Sequence, residues 1–237
     1  MTDDVHVREA ARNSVSGVGS RVWGPRSDAG IALLLVVISL ALFLAVTAGL
    51  VLMSSMEMRM AGAERARHAV RGAAEVALER ALQELAIAAD LNEILAGSVR
   101  SGVAGADLAP DVGEWGVLDL SALTDGLQRE TAAANQWGAD GQVWRLFGYA
   151  PLDVLLDAAG LGASGADVSA GSPFYTVAWV SDDPADGDGN PSADANGRVT
   201  VRAEAFGPFR SRQALVATVR RQGGSLELIS WREPAGA

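Results

Sequence analysis

Apolar residues are unevenly distributed along this chain. One long block lies near the N-terminus, and short alternating runs fill the C-terminal half. The block runs from Ile31 to Met53, and no charged residue falls between Asp28 and Glu57. As a helix it measures roughly 34 Å at about 1.5 Å per residue, enough to cross a bilayer core. It exceeds the apolar region of a secretory signal, about 7–15 residues. Ser39, Thr47 and Gly49 do not break it, because hydroxyls bond back to the helix and small residues let helices approach closely. Residues 1–30 ahead of it are polar and lack any period that builds a core.

Beyond Glu57 the pattern changes to an amphipathic helix without a breaker to about Leu95. Val70, Ala74, Ala77, Ala81 and Leu85 recur at spacings of three or four, widened by Leu78 and Leu82. Arg71 and Glu75, and Arg80 and Glu84, are opposite charges four apart, each pair worth a few tenths of a kcal/mol. No proline separates this stretch from the apolar block, so the spacing predicts one helix of roughly 60 residues. Gly62 and Gly72 are its weak points and are expected to mark bends.

Residues 97–141 are punctuated by glycine, with a short helix expected over Ser121–Asn135. Strands are expected at Gln142–Phe147, Pro173–Val180, Val199–Ala205, Arg212–Arg220 and Leu226–Trp231. A small helix falls between the first two, with Pro151 at its first position and Gly160 as its stop. Val199–Ala205 alternates apolar and polar, as a half-buried strand does, and Phe206–Arg210 is short enough to close a hairpin. The sum is an α+β plan, a long helix packed on an antiparallel sheet. Its segments are a polar leader (1–30), a transmembrane helix half (31–56), an amphipathic continuation (57–96) and an α+β domain (97–237).

Composition narrows the function. The chain has no cysteine, which excludes disulfides and thiolate metal sites. Its net charge is −10, and residues 1–30 contribute nothing, since Arg8, Arg12, Arg21 and Arg26 cancel Asp3, Asp4, Glu9 and Asp28. An acidic domain argues against nucleic acid as a partner.

The densest chemistry is an acidic loop from Ser181 to Gly197. Asp186, Asp188 and Asn190 have the D-x-D-x-N spacing that presents hard oxygen ligands to calcium. Pro191 then stands where an EF-hand needs glycine, and no Glu closes the loop. The competing reading is a solvated turn using Asp, Asn, Gly and Pro for their geometry. Catalysis has little support. The two histidines, His6 and His68, lie in the leader and on the long helix, and Gly162-Ala163-Ser164-Gly165 lacks the final glycine of a nucleophile elbow. The chain reads as non-enzymatic. Trp115, Trp137, Trp144, Trp179 and Trp231 suit core packing or interface anchors.

Three stretches bear a family likeness: Gly30-Ile31-Ala32-Leu33-Leu34-Leu35-Val36-Val37, Ser55-Met56-Glu57-Met58-Arg59-Met60-Ala61-Gly62, and Gly72-Ala73-Ala74-Glu75-Val76-Ala77-Leu78. Together they resemble the N-terminal region of PilX-type minor pilins of type IV pilus systems. They are similar, less closely, to GspK-type minor pseudopilins of type II secretion. The resemblance implies cleavage by a prepilin peptidase between Gly30 and Ile31, with Ile31 methylated as the new N-terminus. It implies residence in the inner membrane with the domain outside the cytoplasm, then assembly at a pilus or pseudopilus tip. The partners it implies are other minor pilins and the major pilin. Major pilins usually carry Glu as the fifth mature residue; here that position is Leu35, as in PilX-type and GspK-type proteins, which suits a tip subunit. GspK-type members often bind calcium, which would give the acidic loop a role. The distribution of arginine does not support this orientation, since Arg21 and Arg26 flank one side and Arg59, Arg65 and Arg67 the other. A single-pass membrane protein with a binding domain and no filament role is the remaining alternative.

Overall fold

The structure is a computed structural model that describes residues 28–134, 141–161, 172–223 and 225–234. Residues 1–27, His6 among them, together with Trp137 and Gly162-Ala163-Ser164-Gly165, lie outside the described residues. The chain divides into two compact units, Met1–Ser55 and Met56–Ala237.

Helix α1 runs from Asp28 to Ile87 as one 60-residue element, without a break at Gly62 or Gly72. Its first part, from Ile31 to Met53, leaves every large apolar side chain exposed. The Thr47 hydroxyl donates to Phe43 O at 2.9 Å and that of Ser55 to Leu52 O at 2.7 Å, so these polar groups are satisfied within the helix. One helix, near the N-terminus, is thus long and apolar enough to cross a membrane.

In the second unit, Val70, Ala73, Ala74, Ala77, Ala81 and Leu85 form a buried stripe. The alanines let the sheet approach closely, and Leu85, fully buried, contributes roughly 1.5–3 kcal/mol by the usual area relation. On the outer face Arg71 Nε reaches Glu75 at 3.1 Å and Arg80 Nε reaches Glu84 at 2.7 Å. The helix stops at Ile87, short of Leu95. A separate helix, α2 (Leu91–Leu95), begins where Asp90 turns extended and its carboxylate accepts the Asn92 N–H.

Five strands follow: β1 (Arg145–Pro151), β2 (Tyr175–Asp182), β3 (Arg198–Gly207), β4 (Ser211–Gln222) and β5 (Ser225–Arg232). Among the described residues they form one antiparallel meander in the order β1-β2-β3-β4-β5, so the architecture is α+β, as expected. Helix α3 (Leu120–Ala134) precedes β1, and helix α4 (Leu152–Ala158) follows it, entered through Pro151 and left through Gly160 at φ +72.

The sheet is covered on both faces. Val199, Val201, Ala203, Ala205, Leu215, Ala217 and Val219 meet the stripe of α1. The opposite face, with Val177, Trp179 and Phe206, packs against Leu118, Leu120 and Leu127. The expectation of a half-buried β3 is therefore corrected: Thr200, Arg202 and Glu204, its polar positions, are buried too. Alternation marks which residues share a face but cannot say whether a second layer covers the polar one.

Four of these tryptophans lie among the described residues and differ in burial. Trp144 and Trp179 are buried, with their indole N–H groups donating to Thr131 and Thr124 at 2.8 Å. Trp115 is half-buried and donates to Gly207 O at 3.0 Å, whereas Trp231 is exposed beneath the Arg71 guanidinium.

Candidate functional site

Two places carry the candidate chemistry, and each lies within one unit. The first is the Gly30–Ile31 junction. Both residues are exposed and helical, within the first turn of α1. A β-carbon on Gly30 would meet nothing within 4 Å, so no packing requirement in the described chain explains the glycine.

The second is the loop between β2 and β3. Hydrogen bonding between β2 and β3 pairs Asp182 with Val199 and so brings both ends of the loop together. The Asp194 carboxylate accepts from the N–H groups of Gly197, Arg198 and Asn196 at 2.6, 3.1 and 3.2 Å. Asp186 accepts from Ala195 N–H at 2.7 Å, and Asn92 of α2 anchors the loop by accepting Asp194 N–H at 2.8 Å. One carboxylate oxygen from each of Asp182, Asp186 and Asp194 consequently lies within 4.8 Å of the other two.

This group shares only Asp186 with the spacing-derived trio of Asp186, Asp188 and Asn190. Asp188 Oδ1 accepts Asn190 N–H at 2.7 Å, and Asn190 Oδ1 accepts Ser192 N–H at 3.2 Å. Both side chains thereby serve the turn geometry that was the competing reading. Asp182 and Asp194 escape a motif search because they stand far apart in sequence and meet only through strand register.

Burial pushes Asp182 up to about 7, aided by the negative charges of Asp186, Asp194 and Asp188 and opposed by the Asp183 N–H. Asp194 is raised by burial and by Asp186, and held back by its three backbone donors. Two cations border this loop: Arg198 pairs with Asp183 at 3.8 Å, and Arg145 donates to the Ser192 hydroxyl at 3.4 Å. The donor chemistry, all hard oxygen, fits a divalent cation of the calcium class.

His68 is exposed on α1, with Nε2 3.4 Å from Glu64 and no catalytic partner among the described residues. Comparison with protein-family models, curated proteins and solved structures finds no match to the chain.

Proposed function

We propose that the chain is a minor pilin that helps initiate or cap a type IV pilus, without enzymatic activity. One observation carries the reading. Along a single helix, α1 changes from a half that buries nothing among the described residues to a half that buries an alanine-rich stripe against a sheet. An apolar helix with no intramolecular partner needs lipid or other helices around it. A subunit that moves from a bilayer into a helical filament core uses both environments in turn.

The junction residues Gly30 and Ile31 fit the resemblance to PilX-type proteins, with Ile31 as the methylated N-terminus. In that reading prepilin peptidase and the inner membrane are the first partners, and other minor pilins and the major pilin follow. Leu35 at the fifth mature position places no carboxylate in lipid, which suits a subunit with no neighbour above it.

The test is Gly30→Phe in cells carrying the cognate prepilin peptidase. Retention of the leader and loss of piliation are expected. Normal maturation of that variant contradicts the proposal.

A second reading, a GspK-type tip pseudopilin of type II secretion, is favoured by the Asp182, Asp186 and Asp194 group. These three residues would hold a calcium ion, which would supply the charge compensation that the crowded carboxylates lack. Stoichiometric calcium binding that is lost in Asp186→Ala supports this reading; its absence removes the reason to prefer it.

A further inference from the structure

The sheet face that meets α3 contains a charged pocket that the filament reading does not use. Glu204 on β3 is fully buried and is bracketed by two guanidiniums. Arg202 donates to Glu204 Oε1 from Nε at 2.8 Å, and its Nη2 forms an ion pair with the same oxygen at 2.6 Å. Arg212 on β4 donates to Oε2 from Nε and Nη2 at 3.0 and 2.7 Å. Both carboxylate oxygens are thereby occupied, and two positive charges share one negative charge. Among the described residues no other carboxylate lies within 4.0 Å of either guanidinium. The Arg212 guanidinium also lies over the Phe206 ring, 5.5 Å from its centre.

Arg202 and Glu204 are buried, whereas the Arg212 side chain is 35% exposed, so the second guanidinium borders the open pocket where an anion can reach it. The space for an anion is present. A pocket of about 270 Å³ opens between α3 and the sheet, bounded by Leu123, Gly126, Trp179 and the three charged residues. That is roughly nine waters' worth at about 30 Å³ each, near the lower limit for ligand pockets. Gly126 is the second, independent sign. It sits inside α3, where glycine is unfavourable, and a β-carbon there would meet nothing within 4 Å. A larger side chain at that position would close the opening. Glu130, exposed at the rim, is the remaining charged group lining the pocket.

We propose that this pocket binds a single carboxylate group, held by the outward N–H groups of Arg202 and Arg212, with Trp179 and Leu123 covering its short apolar stem. Guanidinium edges match carboxylate geometry, and the pocket's size selects a small free acid or one acidic side chain of a protein. The proposal is independent of the filament reading.

The test is isothermal titration of the full chain in detergent at matched ionic strength. One arm uses succinate, with uncharged succinamide as control. The other uses the capped peptide Ala-Glu-Ala, with Ala-Gln-Ala as control. Saturable binding of the charged probe alone is expected, weakened at least about tenfold in Arg212→Gln and abolished in Gly126→Leu. The second variant keeps all three charges, and an unchanged far-UV circular dichroism spectrum and urea midpoint, expected for it, separate a filled pocket from unfolding. Tighter binding of succinate assigns the pocket to a free acid, and tighter binding of the peptide assigns it to a protein side chain. Absence of saturable binding in both arms, or binding unchanged in both variants, overturns the proposal.

Discussion

The ring of Phe209 lies against Gly62: a β-carbon on Gly62 would stand 3.6 Å from the ring's Cζ. Gly62 belongs to α1, and Phe209 to the Pro208–Arg210 turn that closes the β3–β4 hairpin. Phe209 and Arg210 both adopt positive φ, 57 and 51 degrees, a conformation that costs non-glycine residues about 1–2 kcal/mol each. The hairpin tip thus accepts strain while it sets an aromatic ring on the helix. A single methyl fits at ordinary contact distance, so Gly62→Ala is expected to be neutral or to stabilise by up to about 1 kcal/mol through helix propensity. Gly62→Leu displaces the ring, which is 59% exposed and can swing aside, so it is expected to be less stable than Gly62→Ala by up to about 1 kcal/mol. Denaturant midpoints of the two variants check this, and equal midpoints contradict the packing.

The alanine stripe sets the distance between helix and sheet. Leu85→Ala is expected to cost about 2–5 kcal/mol by opening a cavity. Ala74→Leu, at a position with no exposed surface, is expected to cost about 1–3 kcal/mol by overpacking. Chemical unfolding of each variant measures both. Tolerance of Ala74→Leu would mean that the helix is not seated on the sheet.

Glu204 presents an asymmetric prediction. Glu204→Gln strands two guanidiniums, one of them buried, and is expected to cost about 3–5 kcal/mol. Replacing Arg212, which is half-exposed, is expected to cost less, because Arg202 still pairs with the carboxylate. Equal losses in the two variants, compared by urea titration, would contradict a network centred on Glu204.

Asp182 makes stability pH-dependent in a definite direction. Its carboxyl is raised from the ordinary value of 3.8 to about 7, so the folded chain holds this proton more tightly than the unfolded chain. The contribution is fully present below about pH 4. It is lost progressively as pH rises towards 7, where Asp182 ionises beside Asp186, Asp194 and Asp188. Urea midpoints from pH 4 to 8 are expected to show this decline for the native chain and a flatter profile for Asp182→Asn. Where calcium binds, millimolar calcium is expected to remove the decline at pH 7 to 8. A profile unchanged by Asp182→Asn would contradict the assignment.

The readable parts of this chain were those set by local pattern. The Ile31–Met53 block is uninterrupted and the Val70–Leu85 stripe is periodic over several turns, so α1 is legible as one long helix, although it begins three residues earlier, at Asp28. Strands β3 and β4 follow from alternation, and their hairpin from a short link, expected over Phe206–Arg210 and observed as the tighter Pro208–Arg210 turn. The end of α1 at Ile87 was missed because the break lies in Asp90's capping of α2 rather than in a glycine or proline. Asp182 and Asp194 were missed because strand register, not spacing, makes them neighbours. Arg202 and Glu204 looked like a solvated strand face because the cover over that face comes from α3, which lies far from β3 in sequence.

The central claim is that the apolar helix becomes the N-terminus of a filament subunit. Intact mass and N-terminal fragmentation of the protein isolated from the membranes of cells that make it test this most directly. The account predicts a chain that begins at N-methylated Ile31. A chain that begins anywhere upstream of Gly30 contradicts it and leaves an ordinary membrane anchor.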